Sequence, residues 1–279
     1  MVTVLVRGLG DIGSAVGHRL FTAGYRVILH GSPHPTDIRR GMAFTDAVFD
    51  GHAILQGVKA VRVDTLAHLP AFLAEHAVIP IVVSDFARLL GVVGPDVLVD
   101  ARMRKRAHPK AQRRMAPLTI GLGPNFVAGE TTDLAVETKW GETLGTVLTH
   151  GGTHPLEGEP QPIAGIARAR YVYAPAAGIF RTARRIGDLV CAGEAVAYLG
   201  PLALSAPLDG TLRGLTRDDV SVSAGAKVIE VDPRGPAAVV MGIGERPGRI
   251  ADGVWRAVQT WADSRGQSGH ASVTARLPL

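Results

Sequence analysis

Residues 2–13 constrain this chain more than any other stretch. Val2-Thr-Val-Leu-Val6 is a β-branched run, and after Arg7 it breaks at Gly8-Leu9-Gly10-Asp11-Ile12-Gly13 into a helical pattern over residues 12–24. A strand that turns on glycines straight into a helix opens a βαβ unit. The first Gly allows the tight turn, the second lets a phosphate approach the backbone, and the third packs helix on strand. The helix N-terminus adds free N–H groups and the positive end of its dipole. Gly8, Gly10, Asp11 and Gly13 are therefore candidate contacts to a nucleotide or phosphate. The alternative is a tight βα turn that holds no ligand.

Residues 25–30 read as a second strand, 35–50 as a helix, 53–63 as two short strands around Gly57, and 66–76 as a helix. Residues 79–83, 97–99 and 118–122 are apolar strands, and short strands are expected at 133–138 and 144–149. Uninterrupted apolar strands between helices predict a parallel sheet covered on both faces. The expected fold is thus α/β with a Rossmann-like parallel sheet.

The second strand lacks the acid that holds a dinucleotide ribose, since Leu29-His30-Gly31-Ser32 stands there. NAD(P) is therefore a weaker expectation than another phosphorylated ligand, with Ser32, Arg39 and Arg40 as candidate phosphate contacts. In open α/β sheets ligands sit beyond the carboxyl ends of the strands. Those ends supply Asp85, Asp100, Arg102, Gly121, Gly123 and Asn125 as further candidates. Asp85 and Asp100 could equally be helix N-caps, and Arg39 and Arg40 a solvated helix face. Residues 102–114 carry seven Arg and Lys and no carboxylate, suited to an anion or simply solvated. No nucleophile–base pair is readable from spacing, so the residues alone assign no reaction.

Glycine is abundant, with 34 in 279 residues beside 18 prolines, and part of that excess is a repeat. Ala174-Pro175-x-x-Gly178-x-x-Arg181 recurs 32 residues later as Ala206-Pro207-x-x-Gly210-x-x-Arg213. At the same offset Arg185, Val190, Gly193 and Val196 match Arg217, Val222, Gly225 and Val228. Turn glycines at matching places predict two interlocked halves of a small all-β unit, like the barrel-sandwich of biotinyl and lipoyl carriers. The link Tyr198-Leu-Gly-Pro-Leu-Ala203 contains no Lys, so neither biotin nor lipoate is expected. Residues 250–263 have helical spacing, and 264–279 read as a frayed tail. The expected units are 1–165, 166–235 and 236–279.

Other classes are excluded or disfavoured. A formal charge of +5 is too mild to indicate nucleic acid, and the basic run has no interleaved aromatics. The lone Cys191 permits no internal disulfide. Histidines at 150 and 154 flank two glycines that disfavour a metal-binding helix, so no metal is expected. No apolar run is long enough to span a bilayer, and no signal peptide is read at the N-terminus, so the expectation is a cytoplasmic protein.

Three blocks together resemble the selenium-dependent molybdenum hydroxylase maturation proteins of the YqeB family. They are Arg7-Gly-Leu-Gly-Asp11 with Pro35-Thr-Asp-Ile-Arg39-Arg40; Val99-Asp-Ala-Arg102 with Ile120-Gly-Leu-Gly-Pro-Asn-Phe126 and Val136-Glu-Thr138; and the repeat with Asp232-Pro-Arg-Gly235. The resemblance implies an accessory protein related to the XdhC-type proteins of xanthine dehydrogenase. Such a protein would hold a nucleotide or molybdopterin-like form of the molybdenum cofactor. Its partners would be a molybdenum hydroxylase client, the phosphorylated small molecule and, as a homo-oligomer, its own copies, with no nucleic acid and no membrane. The alternatives are an NAD(P)-dependent oxidoreductase and a non-catalytic interaction scaffold. The chain has Gly31 where the family commonly has an acid, and Trp140-Gly-Glu142 where it commonly has Arg-Gly-His.

Overall fold

The computed structural model describes residues 1–104, 108–156 and 158–271, the last six by backbone alone. Lys105 and Arg106 of the basic run lie outside the described residues, as does the tail from 272. The first half runs β1 (Thr3–Arg7), α1 (Asp11–Thr22), β2 (Arg26–His30), α2 (Ala47–Asp50), β3 (His52–Leu55), β4 (Val58–Val63), α3 (Leu69–Glu75), β5 (Ile79–Val82), α4 (Phe86–Val93) and β6 (Val97–Asp100). It continues through β7 (Leu118–Leu122), β8 (Val127–Ala128), β9 (Leu134–Val136), β10 (Val147–Leu148) and β11 (Gly151–Gly152). All but β8 and β11, which pair with each other, form one nine-stranded sheet in the order β10-β9-β7-β6-β1-β2-β5-β4-β3.

That sheet corrects the fold class expected from the sequence. It is mixed: its centre is parallel, but β10 lies antiparallel to β9 and β3 antiparallel to β4. The β3–β4 connection has only Gln56 and Gly57, both at positive φ (45° and 82°), which closes a tight hairpin instead of a crossover. Each central strand is buried on both faces. Val4, Val6 and Val99 pack beneath α1, while Leu5, Ile28 and Leu98 pack beneath α3 and α4 with Leu69 and Leu89. The last helix, α5 (Glu245–Ala271), returns to the α1 face, burying Ile250, Val254 and Val258 there. Arg19 ties the two helices together, 2.7 Å from Asp252 and stacked over Trp255.

The helix expected over 35–50 is also corrected. Only 47–50 is α-helical, with one 3-10 turn at 40–42. The Ile38 carbonyl instead accepts a hydrogen bond from the Leu215 N–H at 2.7 Å, and the Arg40 guanidinium donates to the Leu215 carbonyl. Contact with a distant strand overrides local propensity in a stretch already broken by Pro33, Pro35 and Gly41.

Leu215 belongs to the repeat region. There β12 (Tyr171–Tyr173), β13 (Gly178–Arg181), β14 (Leu189–Val190), β15 (Ala195–Leu199), β16 (Leu202–Ser205), β17 (Gly210–Leu215), β18 (Val220–Val222) and β19 (Lys227–Asp232) form two four-stranded sheets. The 32-residue offset maps β13 onto β17, β14 onto β18 and β15 onto β19, and the halves exchange partners, β13 pairing with β18 and β14 with β17. Phe180, Leu212 and Val228 fill the space between the sheets. This region is not a carrier-type module appended to a parallel domain. Ion pairs tie it to the first half of the chain: Arg39 reaches 2.8 Å from the buried Glu230, and at the surface Arg217 is 2.6 Å from Asp50. The fold is α/β, built on the large mixed sheet. Among the described residues no helix is long and apolar enough to cross a membrane.

Candidate functional site

The strand order places β2 on one side of β1 and β6 on the other, so the chain leaves β1 in one direction and returns from the opposite one. Loops diverge at such a point and leave a crevice at the carboxyl ends. At that point Arg7, the glycine turn, Asp100 and Arg102 stand together. The turn is held very closely. Gly8 adopts φ 124° and donates its N–H to the His30 carbonyl at 2.8 Å. A Cβ on Gly13 would lie 2.2 Å from the Gly8 carbonyl oxygen, and one on Gly8 2.8 Å from that of Ala101. The Leu9 carbonyl accepts from the hydroxyls of Ser14 and Thr45, so side chains brace the turn from below. Among the described residues the N–H groups of Gly10, Asp11 and Gly13 find no acceptor. These are the orphan donors that a helix start offers to an anion.

The other wall is cationic. Asp100 is 2% exposed and receives the Arg102 guanidinium on both oxygens and the Gln112 amide at 2.6 Å. Burial alone would raise its carboxyl, but the hydrogen bonds from Arg102 and Gln112 hold it below the ordinary value. Arg7 approaches Asp100 only to 3.8 Å, lies over the Phe86 ring at 3.4 Å, and keeps a buried Nε without a hydrogen-bond partner. Burial, together with the neighbouring charges of Arg102 and Arg104, pulls Arg7 down to about 10 despite Asp100. Arg7 and Arg102 thus share one carboxylate, with the charge of Arg104 also acting on Arg7. Burial also lowers His30 beside them, whose Nε2 lies 2.9 Å from the Ser84 carbonyl.

A second cluster lies where the turn meets the repeat region. Asp11, in the first turn of α1, accepts from Arg39 at 3.0 Å. Arg39 continues to Glu230, which is fully buried and also receives Arg213 at 3.0 Å and Arg170 at 3.4 Å. Asp37 comes within 2.6 Å of where a Gly10 Cβ would stand, and no hydrogen bond of its carboxyl to another residue is found among the described residues. Burial, and then the charge of Asp11, raise it from 3.8 to about 6. Above that pH the ionised carboxylate costs folding stability, and as pH falls through 6 the cost disappears. Asp37→Asn is therefore expected to raise unfolding stability by about 1–3 kcal/mol at pH 8 and to leave it unchanged near pH 4, measured by denaturant titration.

The sequence-derived candidates divide accordingly. Gly8, Gly10, Asp11, Gly13, Asp100 and Arg102 come together at the crevice. Arg39 and Arg40 stand at the seam, engaged by Glu230 and Asp46, so phosphate contact would compete with those ion pairs. Asp85 caps α4, accepting the Arg88 N–H at 2.9 Å. Ser32 is exposed beyond β2. The Phe126 ring covers Gly121, Gly123 (φ 87°) packs against Met103 and Thr138, and Asn125 takes a positive φ of 71° in the same loop. Sequence reasoning missed Arg7, Asp37, Gln112 and Glu230. For Arg7 a signal existed, since it shares strand parity with Leu5 and must face the α4 side. A cavity of about 570 Å³ lined by Gly94, Pro95, Arg114, Met115 and Asp133 opens at the opposite, amino end of the strands. Among the described residues no group of three His, Cys, Asp or Glu is arranged to hold a metal ion.

No family model matches the chain. It is homologous to the Escherichia coli (strain K12) protein described as uncharacterized protein YqeB, 39% identical over 255 residues. The match covers 91% of this chain and 47% of that protein, so the chain spans about half the length of its relative. Solved structures similar to it include the ectoine utilization protein EutE (DoeB) of Ruegeria pomeroyi, at 12% identity and TM-score 0.26 over 82% of this chain and 84% of that one. An aspartoacylase family protein of Mesorhizobium loti scores 0.25 at 13% identity over 82% and 84%. A succinylglutamate desuccinylase/aspartoacylase of Rhodobacter sphaeroides scores 0.24 at 13% over 82% and 85%. The maturation role expected from the resemblance is corrected here, together with its Rossmann and barrel-sandwich description. The homologue is described only as uncharacterized, and the sheet is mixed where a parallel one was expected.

Proposed function

We propose that this chain binds a phosphate-bearing small molecule in the crevice outside β1 and β6. The observation that supports the reading most is Arg7. A guanidinium set among two others and a single carboxylate, with an unpartnered buried Nε, is stabilised when an anion arrives. The orphan N–H groups of α1 face the same crevice and add dipole and hydrogen bonds without further charge. Asp100 holds Arg102 in a fixed fork, so that little side-chain freedom is left to lose on binding.

Calorimetric titration with ADP and with inorganic sulfate tests this. Saturable binding is expected for the wild type. Arg7→Gln removes one charge-assisted contact, about 1.5–3 kcal/mol, and should weaken ADP about 10- to 100-fold. Arg62→Gln, an equal charge change at the exposed Asp64 pair, should bind as the wild type does. Equal affinity for wild type and Arg7→Gln would overturn the assignment.

A further inference from the structure

We infer that Asp37 is a proton-linked contact of the anion site, taking up a proton when the ligand binds and donating a hydrogen bond to it. The inference rests on the anion-binding reading and specifies how that site reads its ligand.

An Asp37 carboxyl oxygen lies 2.6 Å from where a Cβ on Gly10 would stand, and Gly10 is the N-cap of α1 and carries one of the three orphan N–H groups. Its carboxyl makes no hydrogen bond to them or to any other described residue. It does not cap the helix; it stands beside the seat a ligand anion would take. Two ionised acceptors cannot hydrogen-bond each other, so a dianion entering beside Asp37 meets repulsion unless one oxygen carries a proton. Burial and Asp11 already disfavour the charge on this carboxyl.

The charged groups around it fix the direction of the effect. Asp11 on α1 opposes its ionisation. Arg39 on the same segment spends its guanidinium on Asp11 and on Glu230 of β19, with the Tyr171 hydroxyl of β12 at 3.4 Å. Arg246, in the first turn of α5, donates to the Thr138 carbonyl at 2.7 Å. None of these cations hydrogen-bonds Asp37. The acidic side of the turn, opposite Arg7 and Arg102, therefore supplies one donor on protonation, and the site would prefer a ligand with an oxygen at that position. His30 on β2 lies near Arg7 and could also gain a proton when an anion binds. The experiment has to separate the two.

Calorimetry with ADP at pH 7.5 in buffers of different ionisation enthalpy counts the protons taken up. The ligand's own proton change and that of His30 are common to wild type and Asp37→Asn, so the difference between the proteins isolates Asp37. The wild type is expected to take up close to one proton more than Asp37→Asn. Its affinity for sulfate, which does not titrate in this range, should rise up to tenfold from pH 7.5 to 6.5, while that of Asp37→Asn rises less. Asparagine keeps an N–H donor, so the variant should bind at least as tightly as the wild type at pH 7.5. Binding by both proteins with equal proton uptake overturns the role of Asp37 and leaves the anion site standing. No binding of ADP or sulfate by either protein overturns the anion site, and this inference with it.

Discussion

Glu230→Gln is expected to lose about 3–5 kcal/mol of folding stability, the largest effect of any conservative substitution in this chain. Glu230 is fully buried on β19 and receives Arg39, Arg170 and Arg213. Gln keeps the shape but removes the carboxylate that the three guanidiniums share, leaving Arg39 with Asp11 at 3.0 Å and Arg213 with Asp232 at 3.9 Å. Arg170 is 2% exposed and cannot turn to water. Burial would raise the Glu230 carboxyl, yet the charges of Arg39, Arg213 and Arg170 bring it to about 2 from its ordinary 4.5. The folded value is depressed, so its contribution is complete above pH 4.5 and is lost as pH falls towards 2. Denaturant unfolding of wild type and variant should therefore differ most at neutral pH and converge in acid. A variant as stable as the wild type at pH 7 would show that the seam between the sheet and the repeat region is held by something else.

Gly13→Ala should also be strongly destabilising, for a different reason. The added methyl would meet the backbone carbonyl oxygen of Gly8 at 2.2 Å, with the Ala101 Cβ at 3.5 Å behind it. No rotamer relieves that contact, so α1 must move off β1. Overpacking of this kind costs about 1–3 kcal/mol or more, and the lost braces at Leu9, Ser14 and Thr45 add to it. What folds should bind ADP poorly, because the N–H groups no longer converge. Gly91→Ala in α4 is the contrast: a Cβ there meets nothing within 4 Å, and helix propensity predicts a gain of about 0.5–1 kcal/mol. Equal destabilisation by both changes would contradict the close approach at Gly13.

Local chemistry made much of the fold legible. The strand–glycine–helix start, the short strands around Gly57 and the 32-residue repeat all follow from residue type and spacing. What failed to show was set at long range. Residues 35–50 have helical composition, yet Ile38 and Arg40 bond to Leu215, 175 or more positions away. The antiparallel edges depend on how short connections close, and the parallel prediction did not weigh that. At the site, Gly8, Gly13 and Arg102 were readable because a turn or a strand end requires them. Asp37, Gln112 and Glu230 were not, since each matters only through partners that the topology brings from other segments.

Amide chemical-shift mapping reads directly where a phosphate-bearing ligand sits. Titrating ¹⁵N-labelled protein with ADP should move the resonances of Gly10, Asp11, Gly13 and Arg102 most, and in Arg7→Gln the same shifts should need about 10- to 100-fold more ADP. Shifts centred instead on Gly94, Met115 and Asp133, at the opposite end of the strands, would contradict that site.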